Sequence, residues 1–164
     1  MDKQIFERES IPSGIIIVGV GGGGKNIVAK AKEMSEYNIA EAICEDDYDL
    51  IHRTDREDIK LVIIIACLGG NNGFKSASVI ANYSKSLNIQ TICLTTIPFR
   101  FEGDKKIKQA ILEVGKLTSI TDQMTVINNQ SLVELYGNLS IAEAFSKVDK
   151  LMAKNLDCVI DSAL

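Results

Sequence analysis

The chain contains a single histidine, His52, among its 164 residues. Neither a catalytic triad nor a histidine-rich metal site can be built around it, and it is read as a surface residue. Positive charge is outweighed, with 18 Lys and Arg against 22 Asp and Glu. The formal net charge is -4, which argues against a nucleic-acid partner, because phosphate backbones demand clustered Lys and Arg. No apolar run approaches the ~20 residues of a membrane span. Met1 to Ser13 mixes charges of both signs without an apolar centre and is not expected to be a signal peptide. Internal repeats, low-complexity tracts and Pro/Gly/Ser linkers are missing too. The four cysteines, Cys44, Cys67, Cys93 and Cys158, lack metal-ligand spacing. They read as reduced thiols, mostly in the core, of a cytoplasmic protein.

What is present is a chain long enough for one domain with a real core, with a hydrophobic content of 46%. Short apolar, β-branched runs predict strands at Gly14–Val20, Ile39–Cys44, Leu61–Cys67, Gln90–Thr96 and Gln123–Asn128. Such runs suit strands covered on both faces. Helices are predicted between them, at Asn26–Tyr37, Phe74–Leu87 and Asp104–Leu117. The last places Ile107, Ala110, Ile111, Val114 and Leu117 on one stripe. Ser131–Tyr136 reads as a short helical turn ending at Gly137. Ser140 with Glu143 three residues on forms a capping box at the start of a long C-terminal helix. Alternating strands and helices imply an α/β fold: a three-layer, doubly wound, Rossmann-like parallel sheet of about five strands in the order 2-1-3-4-5.

Two glycine clusters follow strands directly. One is Gly19-Val20-Gly21-Gly22-Gly23-Gly24, the other Gly69-Gly70-Asn71-Asn72-Gly73. In the expected sheet both emerge at the switch point, where ligands bind. Glycines let backbone N–H groups approach an anion, and the following helices aim their positive ends at it. The pattern therefore predicts a nucleotide held from both sides. Gly19-x-Gly21-x-x-Gly24 matches a dinucleotide fingerprint, with Glu45 or Asp46 about 20 residues on. Gly19-x-x-x-x-Gly24-Lys25-Asn26 falls one residue short of a Walker A loop. A plain strand-to-helix turn is the third reading, although five glycines in six residues exceed what a turn needs.

Longer strings bear on the choice. Gly19 to Asn26 resembles the opening loop of the tubulin/FtsZ family, in its bacterial FtsZ branch. Pro98-Phe99-Arg100-Phe101-Glu102-Gly103 is similar to that family's Pro-Phe-x-Phe-Glu-Gly segment. Val126-Ile127-Asn128-Asn129 and Ile141 to Asp149 resemble its later nucleotide-contacting segments, in the same order. The resemblance implies a single nucleotide-binding domain over residues 1–164 with GTP or GDP as ligand. It implies phosphate-side roles for Gly21, Gly22, Gly23 and Asn26, and a signature phosphate loop at Gly70, Asn71, Asn72 and Gly73. Glu102 would accept a ribose hydroxyl, Lys106 would face phosphate, and Asn128 would meet sugar or base. Phe145 would stack on guanine, while Asp149 would accept its N1 and N2 hydrogens. The last two are four residues apart and share a helix face.

Three departures shape the functional expectation. Phe74 and Lys75 stand where the family has a small hydroxyl residue and a glycine, so the phosphate space would narrow or gain charge. The segment between Asp46 and Leu61 is short, and Glu45 and Asp46 would repel phosphate unless magnesium or Lys25 offsets them. The chain stops at Leu164, without the family's second domain, so little or no hydrolysis is expected from it alone. On the last helix, Phe145, Val148, Met152 and Val159 are expected to face the sheet. Ala153, Leu156, Ile160 and Leu164 would form an exposed stripe for self-association or a docked partner such as an FtsZ-like protein. Alternatives are a pseudo-enzyme kept for protein interaction or dimerisation without nucleotide, a nicotinamide-dependent oxidoreductase, and a fragment of a larger protein.

Overall fold

A computed structural model describes residues 8–10, 12–38, 58–70 and 72–163. The predicted strand Ile39–Cys44, together with Glu45, Asp46, His52, Asn71 and Leu164, lies outside the described residues. The strands are β1 (Glu9–Ser10), β2 (Ile15–Val20), β3 (Tyr37–Asn38), β4 (Leu61–Cys67), β5 (Gln90–Ile97) and β6 (Gln123–Asn128). The helices are α1 (Gly21–Met34), α2 (Gly73–Ser86), α3 (Asp104–Thr118), α4 (Asn129–Tyr136) and α5 (Ile141–Ser162). A 3-10 turn at Arg100–Glu102 leads into α3.

Among the described residues, four strands form a parallel sheet in the order β2-β4-β5-β6, and β1 pairs with β3 in a separate two-stranded parallel ladder. The sheet is covered on both sides: β4 is apolar at every position, and β5 buries all but its first and last residues. In β4, Leu61, Ile63 and Ile65 join one core with Ile27, Val28, Met152, Leu156 and Ile160 of α1 and α5. Val62, Ile64 and Ala66 join the other with Ala77, Ile80, Ala81, Ala110 and Leu117 of α2 and α3. Side chains alternate across a strand, so one continuous apolar run serves two helical layers. The result is the doubly wound, three-layer arrangement that the alternating pattern implies.

Two helices start more than one residue earlier than predicted, α4 at Asn129 rather than Ser131 and α1 by more. α1 begins at Gly21, inside the glycine run, and ends at Met34 rather than Tyr37. Ser35 closes it: its hydroxyl donates to Asp157 and accepts the Tyr37 N–H at 3.0 Å. Tyr37 OH in turn donates to Asp161 of α5. The capping box of α5 is present, with Glu143 N–H donating to Ser140 Oγ at 3.1 Å and Ser140 N–H to Glu143 Oε2 at 3.3 Å.

The exposed stripe expected on α5 is a correction. Ala153, Leu156 and Ile160 are buried with Val148 and Met152, whereas Phe145 is 40% exposed. The inward face of α5 turns about the helix axis as it passes from the sheet to α1. At roughly 1.5–3 kcal/mol per fully buried large side chain, Leu156 and Ile160 stabilise this layer and offer nothing to a partner. No helix among the described residues is long and apolar enough to cross a membrane.

Candidate functional site

Both glycine loops open at the carboxyl edge of the sheet, on neighbouring strands β2 and β4. They pack so closely that a Cβ on Gly21, which has φ +67, would stand 3.1 Å from Gly73 Cα. The amino ends of α1 and α2 therefore lie side by side, and their positive dipole ends share one region. Most of the glycines are required by packing. A Cβ on Gly23 would lie 2.4 Å from Cys67 Sγ, one on Gly24 2.3 Å from the Ile65 carbonyl oxygen, and one on Gly73 2.8 Å from the Cys67 carbonyl oxygen. Gly22 and Gly70 differ, because a Cβ on either would meet nothing within 4 Å.

These loops form one wall of a cleft of about 420 Å³. Gly21, Gly22, Gly23, Asn26, Gly70, Asn72 and Gly73 line it, as do Glu102, Lys106, Phe145 and Asp149. Residues spread over more than a hundred positions thus meet in one place. Asn71 lies outside the described residues.

Asn128 is placed elsewhere. It is the last residue of β6, and its side chain accepts the Gln130 N–H at 3.1 Å, capping α4 away from the cleft. The next residue, Asn129, lines the cleft instead. It is 4% exposed, and among the described residues its Oδ1 has no hydrogen-bond partner. A buried amide oxygen without a donor is uncommon and fits a site that awaits one. The consecutive Asn128-Asn129 pair was the only sequence signal for this residue. Cys67, Thr96, Pro98 and Val148 also line the cleft without having been singled out. Their positions at strand ends and one residue before Asp149 were the available clue.

Glu102 is oriented by the 3-10 turn, where its Oε2 accepts the Phe99 N–H at 2.8 Å. The Pro-Phe-x-Phe-Glu-Gly string builds an aromatic trio beside it. Phe99 is fully buried and stacks on Phe101 at 4.8 Å. Phe145 meets Phe99 edge-on at 5.1 Å and Phe101 at 6.0 Å. Edge-on contacts fix the Phe145 ring and leave a face for another planar group. Asp149 is half-buried one turn further along α5. Burial pushes its carboxyl above the usual carboxylate range, partly opposed by Lys30 of α1. Burial also pushes the Cys67 thiol up to about 11, with Asp149 and Glu102 adding to the shift and a Thr96 hydrogen bond opposing it. Cys67 is thus a neutral thiol on the cleft floor.

Phe74 does not narrow the cleft. It packs in the core on the opposite side of the sheet, with Lys116 Nζ 5.7 Å from its ring centroid. The helical start at Gly73 turns the next side chain toward α3. Lys75 is exposed and does not line the cleft.

Comparison with known proteins agrees with this geometry. The model of the Tubulin/FtsZ family, GTPase domain, matches residues 33–137. The Cell division protein FtsZ of Porphyromonas gingivalis is 32% identical over 157 residues, covering 92% of this chain and 32% of that protein. The corresponding protein of Aquifex aeolicus is 32% identical over 154 residues, covering 93% of this chain and 40% of that protein. The chain therefore spans 32% to 40% of the length of these relatives. Among solved structures, an empty FtsZ dimer from M. jannaschii superposes with a TM-score of 0.75 at 22% identity, over 92% of this chain and 55% of that one. CetZ2 from Haloferax volcanii, in a GTPγS-bound protofilament, gives a TM-score of 0.71 at 13% identity, over 89% of this chain and 57% of that one. The chain belongs to the tubulin/FtsZ family, and its fold is that family's GTPase domain.

Proposed function

We propose that the cleft binds a guanine nucleotide, GDP or GTP, and that this chain by itself hydrolyses GTP slowly or not at all. The observation that carries the binding half is the division of labour along the cleft. One wall is made of glycine backbone at two helix starts, with Gly22 and Gly70 leaving open space. The other carries Phe145 and Asp149 on one face of α5. The first suits a phosphate chain. The second suits a planar base, with a carboxylate accepting two donors from the guanine edge, a pair that adenine lacks. Between them, the unpartnered Asn129 Oδ1 and the free valence of Glu102 are acceptors for ribose hydroxyls. Lys106 adds a cation at the same rim.

The slow-hydrolysis half rests on what the glycine wall offers. Its described lining residues are backbone amides, Asn26, Asn72, Thr96 and the neutral Cys67. The two carboxylates of the described lining, Glu102 and Asp149, are assigned here to the ribose and the base, which leaves neither to orient an attacking water. Binding to FtsZ-type polymers is the corresponding proposal for a partner. Among the described residues no cluster of three His, Cys, Asp or Glu side chains is available to hold a metal.

Calorimetric titration with GDP, GTP and ATP tests the reading. Guanine nucleotides are expected to bind and ATP is not, and Asp149→Ala removes the binding. Phosphate release from bound GTP is expected to stay near the no-protein control. Silence with all three nucleotides, or equal binding of ATP, overturns the assignment.

A further inference from the structure

Glu113 is a buried carboxylate that the nucleotide reading does not use. It lies on α3, is 6% exposed, and points at the back of the second glycine loop. Its Oε1 accepts the Gly69 N–H at 2.8 Å. One turn earlier, Gln109 Nε2 donates to the Gly70 carbonyl oxygen at 3.2 Å and to Glu113 Oε2 at 3.4 Å. Two side chains of one helix therefore hold two successive residues of the loop, one through its donor and one through its acceptor. The loop is tight at this point. Gly69 has φ +84, and a Cβ there would lie 2.6 Å from the Lys106 carbonyl oxygen and 2.9 Å from Pro98 Cγ. Lys106, Gln109 and Glu113 are spaced three and four residues apart and share one face of α3. The same face reaches the cleft at one end and the rear of the loop at the other.

We propose that Glu113 and Gln109 are positioning residues that fix the Gly69–Gly70 turn in the shape that receives the phosphates. A carboxylate is a strong acceptor for a backbone N–H, and removing it would leave that N–H buried without a partner. Neither residue lines the cleft, so both act through the loop. This inference rests on the nucleotide reading above and specifies what sets its phosphate end.

The test pairs two readouts. Amide hydrogen exchange at Gly69 and Gly70 is measured by NMR in the wild-type chain, Glu113→Gln, Glu113→Leu and Gln109→Ala. GDP and guanosine affinities are measured on the same samples by competition against a fluorescent GDP analogue. Glu113→Leu is expected to speed Gly69 exchange and weaken GDP by about tenfold each. Guanosine, which has no phosphate, is expected to bind each variant as it binds the wild type. Glu113→Gln keeps an acceptor for Gly69 and is expected to stay within about threefold of the wild type for GDP. Gln109 is exposed, so Gln109→Ala retains the fold and still loosens Gly70 should Glu113→Leu fail to fold. Unchanged Gly69 and Gly70 exchange with unchanged GDP affinity overturns the clamp, and so does an equal loss for guanosine and GDP. A wild-type chain that binds no GDP overturns the nucleotide reading, and with it the phosphate role given to the clamp.

Discussion

The two glycine loops resemble each other in sequence but are held by different means. The first is fixed by backbone crowding: Gly19, Gly23 and Gly24 allow α1 to lie directly on β2 and β4, where any Cβ would collide. The second is crowded too, at Gly69 and Gly73, but is held in addition by side chains, through Glu113 and Gln109 reaching across from α3. In each loop one residue, Gly22 or Gly70, faces open space. Glycine content alone therefore overstates the case for a ligand. Most of these glycines are needed for packing, and only at the two open positions does packing leave the missing Cβ unexplained.

Substitutions that separate packing glycines from open ones test this contrast most strongly. Gly24→Ala would force a methyl against the Ile65 carbonyl oxygen and is expected to destabilise the fold by roughly 1–3 kcal/mol, read as a lower urea midpoint. Equal stability of Gly24→Ala and the wild type would remove the basis of the comparison. Gly22→Ala, in a helix and facing open space, is expected to fold normally or gain up to ~1 kcal/mol. The same variant should weaken GDP by about tenfold, equivalent to ~1.4 kcal/mol. An unaltered affinity would mean that the open face is not where phosphate lies.

On stability, Asp149 gives a smaller effect with a definite sign. Burial raises its folded pKa above the ordinary 3.8. Between those two values the native state holds more protons than the unfolded one, so stability falls as pH rises through that window. Asp149→Asn is therefore expected to raise the melting temperature slightly at pH 7 while weakening guanine-nucleotide binding. In the wild type, GDP affinity should drop on acidification with a midpoint above 3.8. A midpoint at or below the ordinary value would detach Asp149 from binding. The mildest prediction concerns thiols. Burial pushes Cys93 up to about 12 and Cys67 up to about 11, whereas Cys158 is exposed. At pH 8, maleimide should modify Cys158 well before either of the others, as peptide mapping would show.

Much of the fold is legible along the chain. The predicted strands Leu61–Cys67 and Gln123–Asn128 coincide with β4 and β6, and β4, buried on both faces, needs no polar alternation. The Ser140–Glu143 box marks the start of α5, because a cap is a local exchange of hydrogen bonds. Adjacent positions at element junctions are less readable. Asn128 and Asn129 are chemically identical, yet a strand end gives way to a helix start between them and sends their side chains to different places. Phe74 is one residue past a glycine lining the cleft and packs on the opposite face of the sheet.

By itself, the sequence determined the parallel α/β layering, the positions of the turns and the convergence of both glycine loops on one edge. Those follow from periodicity and from bonds between near neighbours. Tertiary structure alone decided which stripe of α5 is covered, which asparagine reaches the cleft, and that Glu113 meets a loop 44 residues away. These outcomes depend on where packed elements point their side chains, which neighbouring layers fix and local pattern does not.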